Sequence, residues 1–273
     1  MRSFLALNLI VVAATANAQS TAMYIANEGV LVSHDETKVL FDPLASESFG
    51  QYEIIPASMK ADLFAGEPPF DGVDAIFISH YHGDHFSPAD VLRLLRQQPD
   101  IRLYAPMQAI AGLRDVADES DQPVIDRVIG VDLEYGDAPM TITADGLLIE
   151  AVRIPHSGWP TRRTDVQNIA FRVTLDDTTT VLHLGDADTR DVHFVQDQDY
   201  WEERRTHMAF PPYWYFLSDN GRAVLEDRIG ADHAVGIHVP KDVPDDSMQR
   251  DPELRDVDLF TRPGEGRRFY GDE

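Results

Sequence analysis

The sequence predicts an α/β protein in which two β-sheets pack face to face and helices cover their outer faces. Along the chain, a β-rich stretch followed by strand–helix alternation occurs twice, which indicates two similar halves. The 273 residues are 43% hydrophobic, enough for a sizeable core, and contain no internal repeat or Gly/Ser-rich linker. We therefore predict one domain over residues 19–273.

The first half opens with short strands and then becomes irregular. Apolar runs between polar turns predict three strands, at residues 21–26, 30–33 and 38–41. Three prolines within residues 45–72 predict an irregular excursion there, placed to overhang a site. The apolar run at residues 74–79 then has the character of a buried strand.

Strand–helix alternation follows this run. Ser87 is a typical N-cap and Pro88 suits the first helical position, so a helix is expected to begin there. The next segments predict a strand over residues 101–104 and a helix over residues 107–116. This order indicates α/β layering.

The second half repeats the pattern. It predicts strands at residues 128–129, 140–142, 147–154, 169–175 and 179–184. A helix is expected over residues 222–229 and a strand over residues 234–237. Residues 258–260 are a candidate closing strand.

The first 18 residues have the pattern of a secretory signal peptide. Arg2 supplies a positive start, residues 4–14 are apolar, and residues 16–18 form a small-x-small cleavage site. The apolar stretch is shorter than the roughly 20 residues that span a bilayer, so no stable membrane anchor is expected. We predict cleavage after Ala18 and export to the periplasm or the medium.

Composition disfavours some functions and excludes others. With 23 Lys and Arg against 47 Asp and Glu, the formal net charge is −24, which disfavours nucleic-acid binding. The chain has no cysteine, which excludes disulfides, thiolate ligands and a cysteine nucleophile. Any metal must be held by histidine and carboxylate groups, a ligand set compatible with zinc, manganese or iron.

Four potential metal ligands fall within six residues, 80–85, directly after the apolar run. They are His80, His82, Asp84 and His85. His80 and His82 are two apart and cannot share a helix face, so they belong to a strand end or loop, unlike the helical H-E-x-x-H motif. The segment therefore predicts a metal site at the edge of a sheet.

Three further candidates, His156, Asp186 and His238, occupy the same kind of position, just beyond the C-terminal end of an apolar strand. In layered α/β folds this edge is where ligand crevices form. His183 instead lies inside a predicted strand and is expected to be a packed core histidine. The ligand candidates should therefore meet at one edge of the fold.

The ordered set of H-x-H-x-D-H, a later His, a Gly-Asp pair and a late His resembles the metallo-β-lactamase superfamily of hydrolases over nearly the whole of residues 19–273. The resemblance implies a four-layer αββα sandwich of two mixed β-sheets flanked by helices. It also implies two divalent ions, with His80, His82 and His156 on one, Asp84, His85 and His238 on the other, and Asp186 between them.

The resemblance further implies hydrolysis by a hydroxide that bridges the two metals. Zinc is the expected metal, with manganese and iron as alternatives. Asp84 is the candidate catalytic residue, because it would ligate one metal and orient or deprotonate the nucleophile. The expected bond is an ester, lactone or phosphodiester in a small molecule. The oligomeric state is left open.

The branch of the superfamily is indicated by two features. True metallo-β-lactamases lack the bridging Asp186, and several use a cysteine ligand. The opening residues 25–32 and 39–43 are similar to those of ascorbate-phosphate lactonases and phospholipase-D-type enzymes. A periplasmic metallo-β-lactamase and a non-catalytic metal-binding or sensing module remain the alternatives.

Substrate contacts are predicted from charge and aromatic content. Arg162 and Arg163 follow His156 and are candidates to receive an anionic group, although two solvated arginines in a turn explain them equally well. Trp159 is a candidate pocket wall. The aromatic segment 210–216, which includes Trp214, is a candidate for an apolar pocket or lid, for a membrane-touching patch, or for core packing. Lining of the pocket would favour a hydrophobic acyl or aryl group on the substrate.

Overall fold

The computed structural model describes residues 19–272, so the predicted signal peptide at residues 1–18 lies outside the described residues. Within this range the strands, in chain order, are β1 (Gln19–Ala26), β2 (Gly29–His34), β3 (Thr37–Phe41), β4 (Ala75–Phe77), β5 (Arg102–Pro106), β6 (Val128–Val131), β7 (Met140–Ala144), β8 (Leu147–Arg153), β9 (Ile169–Leu175), β10 (Thr179–His183), β11 (Met208–Phe210) and β12 (Gly266–Tyr270). The α-helices are α1 (Ala57–Ala65), α2 (Pro88–Gln97), α3 (Met107–Val116), α4 (Gln122–Ile125), α5 (Gln198–Glu203) and α6 (Asp219–Ala223), the last continuing as a π-helical turn, Val224–Ile229.

The strands form two mixed sheets. In the described residues, the first sheet has seven strands in the order β12-β1-β2-β3-β4-β5-β6, and the second has five in the order β11-β10-β9-β8-β7. The β3–β4–β5–β6 pairs are parallel, whereas β1–β2–β3 are antiparallel. In the second sheet only the β10–β11 pair is parallel.

The layers follow from the two-residue alternation of side chains along each strand. In β3, Val39 and Phe41 face the core between the sheets, whereas Leu40 packs against helices. Phe77 of the first sheet and Phe171 of the second meet across this core with ring centroids 5.2 Å apart. Helices α1 to α4 contribute to the core outside the first sheet, and α5 and the π-helical turn to the core outside the second. The predicted αββα sandwich is confirmed.

The helix predicted to begin after Ser87 does so, because its end is capped as expected. The Ser87 hydroxyl accepts a hydrogen bond from the Asp90 backbone N–H at 3.4 Å, and Pro88 occupies the first turn. The apolar face, Val91, Leu92, Leu94 and Leu95, is buried. Helix α3 spans the predicted residues 107–116.

The predictions for the C-terminal part were less accurate. Residues 234–237 run beside β11 but form only isolated bridges, because Pro211 and Pro212 have no N–H groups to continue the ladder. Residues 258–260 form a single bridge, between Gly236 and Leu259, and the strand that closes the sheet is β12. β12 has only Phe269 buried, which is typical of an edge strand and gives no apolar pattern to detect.

Residues 45–72 differ in part from the irregular excursion that was predicted. They include α1, whose buried residues are Leu63 and Phe64. The preceding loop is tied to the histidine motif, because the backbone N–H groups of Ser46 and Glu47 both donate to the Gly83 carbonyl, at 2.7 and 2.9 Å. This contact fixes the loop beside the predicted metal site.

In the described residues no helix is long and apolar enough to cross a bilayer.

Candidate metal centre

The histidine motif begins just after β4, where Asp42 anchors it. The Asp42 carboxylate accepts hydrogen bonds from the backbone N–H and the hydroxyl of Ser79. The same carboxylate lies 2.9 Å from Nδ1 of His85. His80 and His85 are consequently fully buried, while His82, farther along the loop, is half-buried.

Three imidazoles converge on one point. Nδ1 of His82 lies 3.0 Å from Nε2 of His80 and 3.2 Å from Nε2 of His156. Together with a carboxylate oxygen of Asp186, they form a group whose ligand atoms all lie within 4.8 Å of one another. These three imidazole nitrogens face one point with a carboxylate beside them. Such a set of ligand atoms is typical of a divalent-ion site.

A second group of donors lies on the other side of Asp186. Oδ1 of Asp186 is 3.3 Å from Nε2 of both His85 and His238, whereas Oδ2 is 3.1 Å from Nε2 of His156. Asp84 adds an oxygen 3.2 Å from Nε2 of His238. Each oxygen of Asp186 therefore faces a different cluster, the arrangement expected of a carboxylate shared by two cations.

Backbone geometry places Asp186 and His238. Gly185 has φ +53°, and a Cβ there would lie 2.5 Å from both Asn168 Oδ1 and Ser79 Cβ, so only glycine fits. Asn168 Oδ1 also accepts the Asp186 backbone N–H at 2.9 Å. His238 has φ +57°, a left-handed conformation rare for histidine and held here by its backbone N–H, which donates to the Asn27 carbonyl at 2.9 Å.

The residues fit a pair of cations. Within the described residues, the buried atoms His85 Nε2, His238 Nε2 and Asp186 Oδ1 have no hydrogen-bond partner. Buried polar atoms are nearly always paired, so a cluster of buried nitrogen and oxygen atoms without hydrogen bonds has the character of a cation-binding site. Nδ1 of His156 lies 2.9 Å from the Ser157 carbonyl, which can only accept a hydrogen, so Nε2 keeps its lone pair toward the cluster.

The surroundings of both predicted acidic ligands favour the ionised carboxylate. Burial opposes the charge on Asp186, but the positive charges of His238 and His85 outweigh it and hold the pKa of Asp186 well below its usual range. The pKa of Asp84 is also below its usual range: burial raises it, but the contact with His238 Nε2 at 3.2 Å and the charge of His85 lower it by more. Ionised carboxylates are the form that binds a cation.

A cavity of about 570 Å³ opens over the two clusters. Four predicted ligands, His82, Asp84, Asp186 and His238, form part of its surface. Its other residues are Phe49, Gln51, Tyr52, Gly83, Ser157, Arg163 and Trp214. The site thus lies in a cleft, and residues 49, 51 and 52 of the predicted excursion form part of its lining.

The predicted substrate residues divide into two pairs. Arg163 and Trp214 line the cavity, whereas Trp159 and Arg162 are absent from its lining in the described residues. Trp159 instead packs edge-on against His193 at 5.0 Å and under the Arg190 guanidinium at 4.6 Å. The aromatic segment 210–216 contributes both to the core and to the cavity. Phe210 and Tyr215 are buried in the core, while Trp214 lines the cavity with its ring 5.1 Å from that of His238.

Comparison with known proteins agrees with this geometry. The family model described as "Beta-lactamase superfamily domain" matches residues 37–238, which contain all seven predicted ligands. The chain belongs to the metallo-β-lactamase superfamily. The predicted resemblance and the prediction of a metal-dependent hydrolase are thereby confirmed at the level of the superfamily.

Solved structures of other proteins share the fold at low sequence identity. Igni18, a novel metallo hydrolase of Ignicoccus hospitalis, has a TM-score of 0.59 and 15% identity over 92% of this chain and 98% of its own. The isothiocyanate hydrolase from Delia radicum gut bacteria has a TM-score of 0.57 and 16% identity over 90% and 98%. A diphosphatase from the PhnP family has a TM-score of 0.55 and 16% identity over 93% and 99%.

A curated relative matches only in part. The UPF0173 protein YddR of Bacillus subtilis (strain 168) is 34% identical over 70 residues, which are 23% of this chain and 27% of that protein. The chain thus matches about a quarter of that relative's length, and the identity carries no activity with it.

Sequence reasoning missed two residues of this metallo-β-lactamase site. Asp42, the residue that holds His85, was noted only as part of a family pattern, and its position at the end of β3 is the signal that marks it. Glu28 lies in the turn between β1 and β2, where an acidic residue is normally solvated, yet it is fully buried. Its burial depends on packing between distant segments and leaves no local signal.

Proposed function

We propose that the protein is an exported binuclear metal-dependent hydrolase that cleaves an ester, lactone or phosphodiester bond in a small molecule. The observation that carries the proposal is that the two carboxylate oxygens of Asp186 face separate clusters of ligand atoms. Oδ2 lies 3.1 Å from Nε2 of His156, and Oδ1 lies 3.3 Å from Nε2 of His238. The first position would be held by His80, His82 and His156, and the second by Asp84, His85 and His238. Zinc suits both sets, as do manganese and iron.

Two bound cations would lower the pKa of a shared water toward about 7 and polarise the carbonyl or phosphoryl oxygen of the substrate. The chain's own residues supply the rest of the chemistry. Asp84, which lines the cavity as an ionised carboxylate, is placed to orient the attacking water and take its proton. Asp186 and the five histidines keep the reacting groups in place.

The cavity lining supports a substrate with an anionic group and an apolar group. Arg163 is the sole arginine or lysine among the lining residues, in a chain of net charge −24. Phe49, Tyr52 and Trp214 give the same cavity an aromatic wall. An anion paired with Arg163 and an acyl or aryl group against this wall would fix the substrate across the metal centre.

The test is hydrolysis by the metal-loaded mature protein of a panel containing lactones, aryl esters, a thioester, bis-aryl phosphodiesters and a β-lactam. An isothiocyanate and a diphosphate complete the panel, because fold neighbours carry those names. We expect turnover of one class by the wild type and by Asp191→Ala, an exposed control, and its loss in Asp186→Ala. β-Lactam turnover that survives in Asp186→Ala would contradict the proposed mechanism.

Export is proposed from the sequence of residues 1–18. Cleavage after Ala18 would retain all the described residues of strand β1, including Gln19, which pairs with Tyr270 of β12. The test is expression of the full chain followed by fractionation and mass spectrometry. A periplasmic or secreted protein beginning at Gln19 is expected, and an unprocessed cytoplasmic chain would contradict the proposal.

A further inference from the structure

Glu28 is a buried acidic residue whose carboxylate makes no hydrogen bond in the described residues; its Oε2 lies 3.3 Å from Nε2 of His183, whose hydrogen is directed at the Glu28 backbone carbonyl. Its side chain is fully buried, and within the described residues neither carboxylate oxygen has a hydrogen-bond partner. An isolated buried carboxylate costs several kcal/mol unless a proton or cation compensates it. The buried Glu28 carboxylate therefore indicates a bound cation nearby or a proton on the carboxylate itself.

The carboxylate faces the second donor cluster. One oxygen of Glu28 belongs to a group with His85, Asp186 and His238 in which all ligand atoms lie within 4.8 Å of one another. Two ligands on opposite sides of one cation, each about 2.1 Å from it, lie about 4.2 Å apart, so these four residues can share an ion. The turn is held in place by Asn27, whose Nδ2 donates to the Asp84 carbonyl at 2.9 Å.

A separate cation beside Asp42 and His183 is the competing arrangement, since these residues also lie near Glu28. Both nitrogens of His183 are already used: Nδ1 accepts the Gly185 N–H at 3.2 Å, and Nε2 donates to the Glu28 carbonyl at 3.0 Å. The Asp42 carboxylate is occupied by Ser79 and His85. His183 therefore has no free lone pair, and Asp42 already accepts three hydrogen bonds, whereas the second cluster contains atoms without any hydrogen-bond partner.

We propose that Glu28 is an additional ligand of the second metal position. The inference deepens the proposed function, because it rests on there being two cations. With Glu28, the second position is served by two imidazoles and three carboxylates, those of Glu28, Asp84 and Asp186. The first position is served by three imidazoles and the shared Asp186. The two positions therefore differ in chemistry.

This difference predicts a difference in metal preference. Imidazole-rich sites suit zinc, whereas carboxylate-rich sites favour harder ions such as Mn²⁺. The ratio of Mn²⁺ to Zn²⁺ affinity should be higher at the second position than at the first. Glu28 also adds one negative charge to the centre, which offsets part of the charge of the two cations.

The experiment measures Mn²⁺ and Zn²⁺ binding by equilibrium dialysis and calorimetry in the wild type, Glu28→Gln and a matched control. Glu47→Gln is the control, because Glu47 is an exposed carboxylate beside Gly83 of the histidine loop and does not line the cavity. Glutamine keeps the shape of Glu28 and removes the charge. We expect Glu28→Gln to weaken the second Mn²⁺ by about tenfold or more, to weaken the second Zn²⁺ less, and to leave the first cation unchanged.

Wild-type affinity for the second Mn²⁺ in Glu28→Gln would overturn the inference and identify Glu28 as a protonated, structural acid. A wild type that binds only one cation would instead overturn the two-metal proposal, so the two failures are distinguishable. If Glu28→Gln does not fold, Glu28→Asp keeps the charge and withdraws it by one methylene. It should also weaken the second Mn²⁺, and unchanged binding would again refute the ligand role.

Discussion

Replacing Asp42 with asparagine tests whether a residue that touches no cation controls the second metal position. Oδ2 of Asp42 receives the Nδ1–H of His85 at 2.9 Å, which leaves Nε2 of His85 free as a ligand. With an amide NH₂ at that position, Nδ1 must accept instead, and the hydrogen moves to Nε2. His85 then presents an N–H to the cation site.

The alternative amide orientation is no better. It would turn the NH₂ toward the Ser79 backbone N–H, which now donates to Oδ1 at 2.8 Å, and leave a buried donor unpaired at a cost of about 1–3 kcal/mol. We therefore expect Asp42→Asn to weaken the second cation by about 10–100-fold, as is usual for residues that orient metal ligands. That factor corresponds to about 1.4–2.7 kcal/mol.

The assay is competitive calorimetry with a chelator, read beside Asp74→Asn. Asp74 is a suitable control because its carboxylate accepts a backbone hydrogen bond, from Lys38 at 2.9 Å, at the opposite end of β4. The control should bind both cations as the wild type does. Unchanged affinity for both cations in Asp42→Asn would refute the argument that Asp42 sets the hydrogen position on His85.

Three further predictions concern pH, substrate and stability. Burial lowers the pKa of His85, but Asp186 and Asp42 raise it well above its usual range, whereas burial lowers that of His82 to about 4. Since a cation needs neutral imidazole, the second position should lose affinity at a higher pH than the first as the pH falls, and dialysis at each pH that shows equal losses at both positions would contradict this. Arg163→Gln should raise KM for an anionic substrate roughly fivefold, about 1 kcal/mol, whereas the neighbouring Arg162→Gln should not; equal effects in steady-state kinetics would exclude a specific role. Arg172→Met removes the bidentate partner of buried Glu150 and leaves it only Arg204, so it should cost about 3 kcal/mol in urea unfolding, against less than about 1 kcal/mol for the exposed pair in Arg102→Ala.

The sequence was sufficient where the signal is local. The ligand-rich loop at residues 80–85 follows an apolar run, and the capped start of α2 depends on neighbouring residues, so both were predicted correctly. The positions of His156, Asp186 and His238 followed from one rule, that strand ends meet at a sheet edge. The structure brings all three to the histidine loop.

Features that depend on packing between distant segments could not be predicted from the sequence. Glu28 is buried because the hairpin turn lies beneath the segments that carry Asp84 and His238, contacts between residues far apart in the chain. Trp159 and Trp214 look alike as candidate pocket walls, yet only Trp214 lines the cavity. Which of two aromatic residues faces a cavity depends on the turns around it, and these are set by the completed fold.

The turn at Asn27 makes the metal centre a joint between the two halves of the chain. Asn27 holds the Asp84 loop through its side chain and the His238 loop through its carbonyl. A shift of the Asp84 loop or of the His238 loop would therefore move the other through their shared hydrogen bonds to Asn27. The aromatic walls come from other segments, at residues 49–52 and at Trp214. Both Tyr52 and Trp214 nevertheless pack against the ring of His238, with centroids 4.2 and 5.1 Å away. A substitution that reshapes the aromatic wall therefore also disturbs a predicted metal ligand, so substrate preference and metal binding are coupled in this chain.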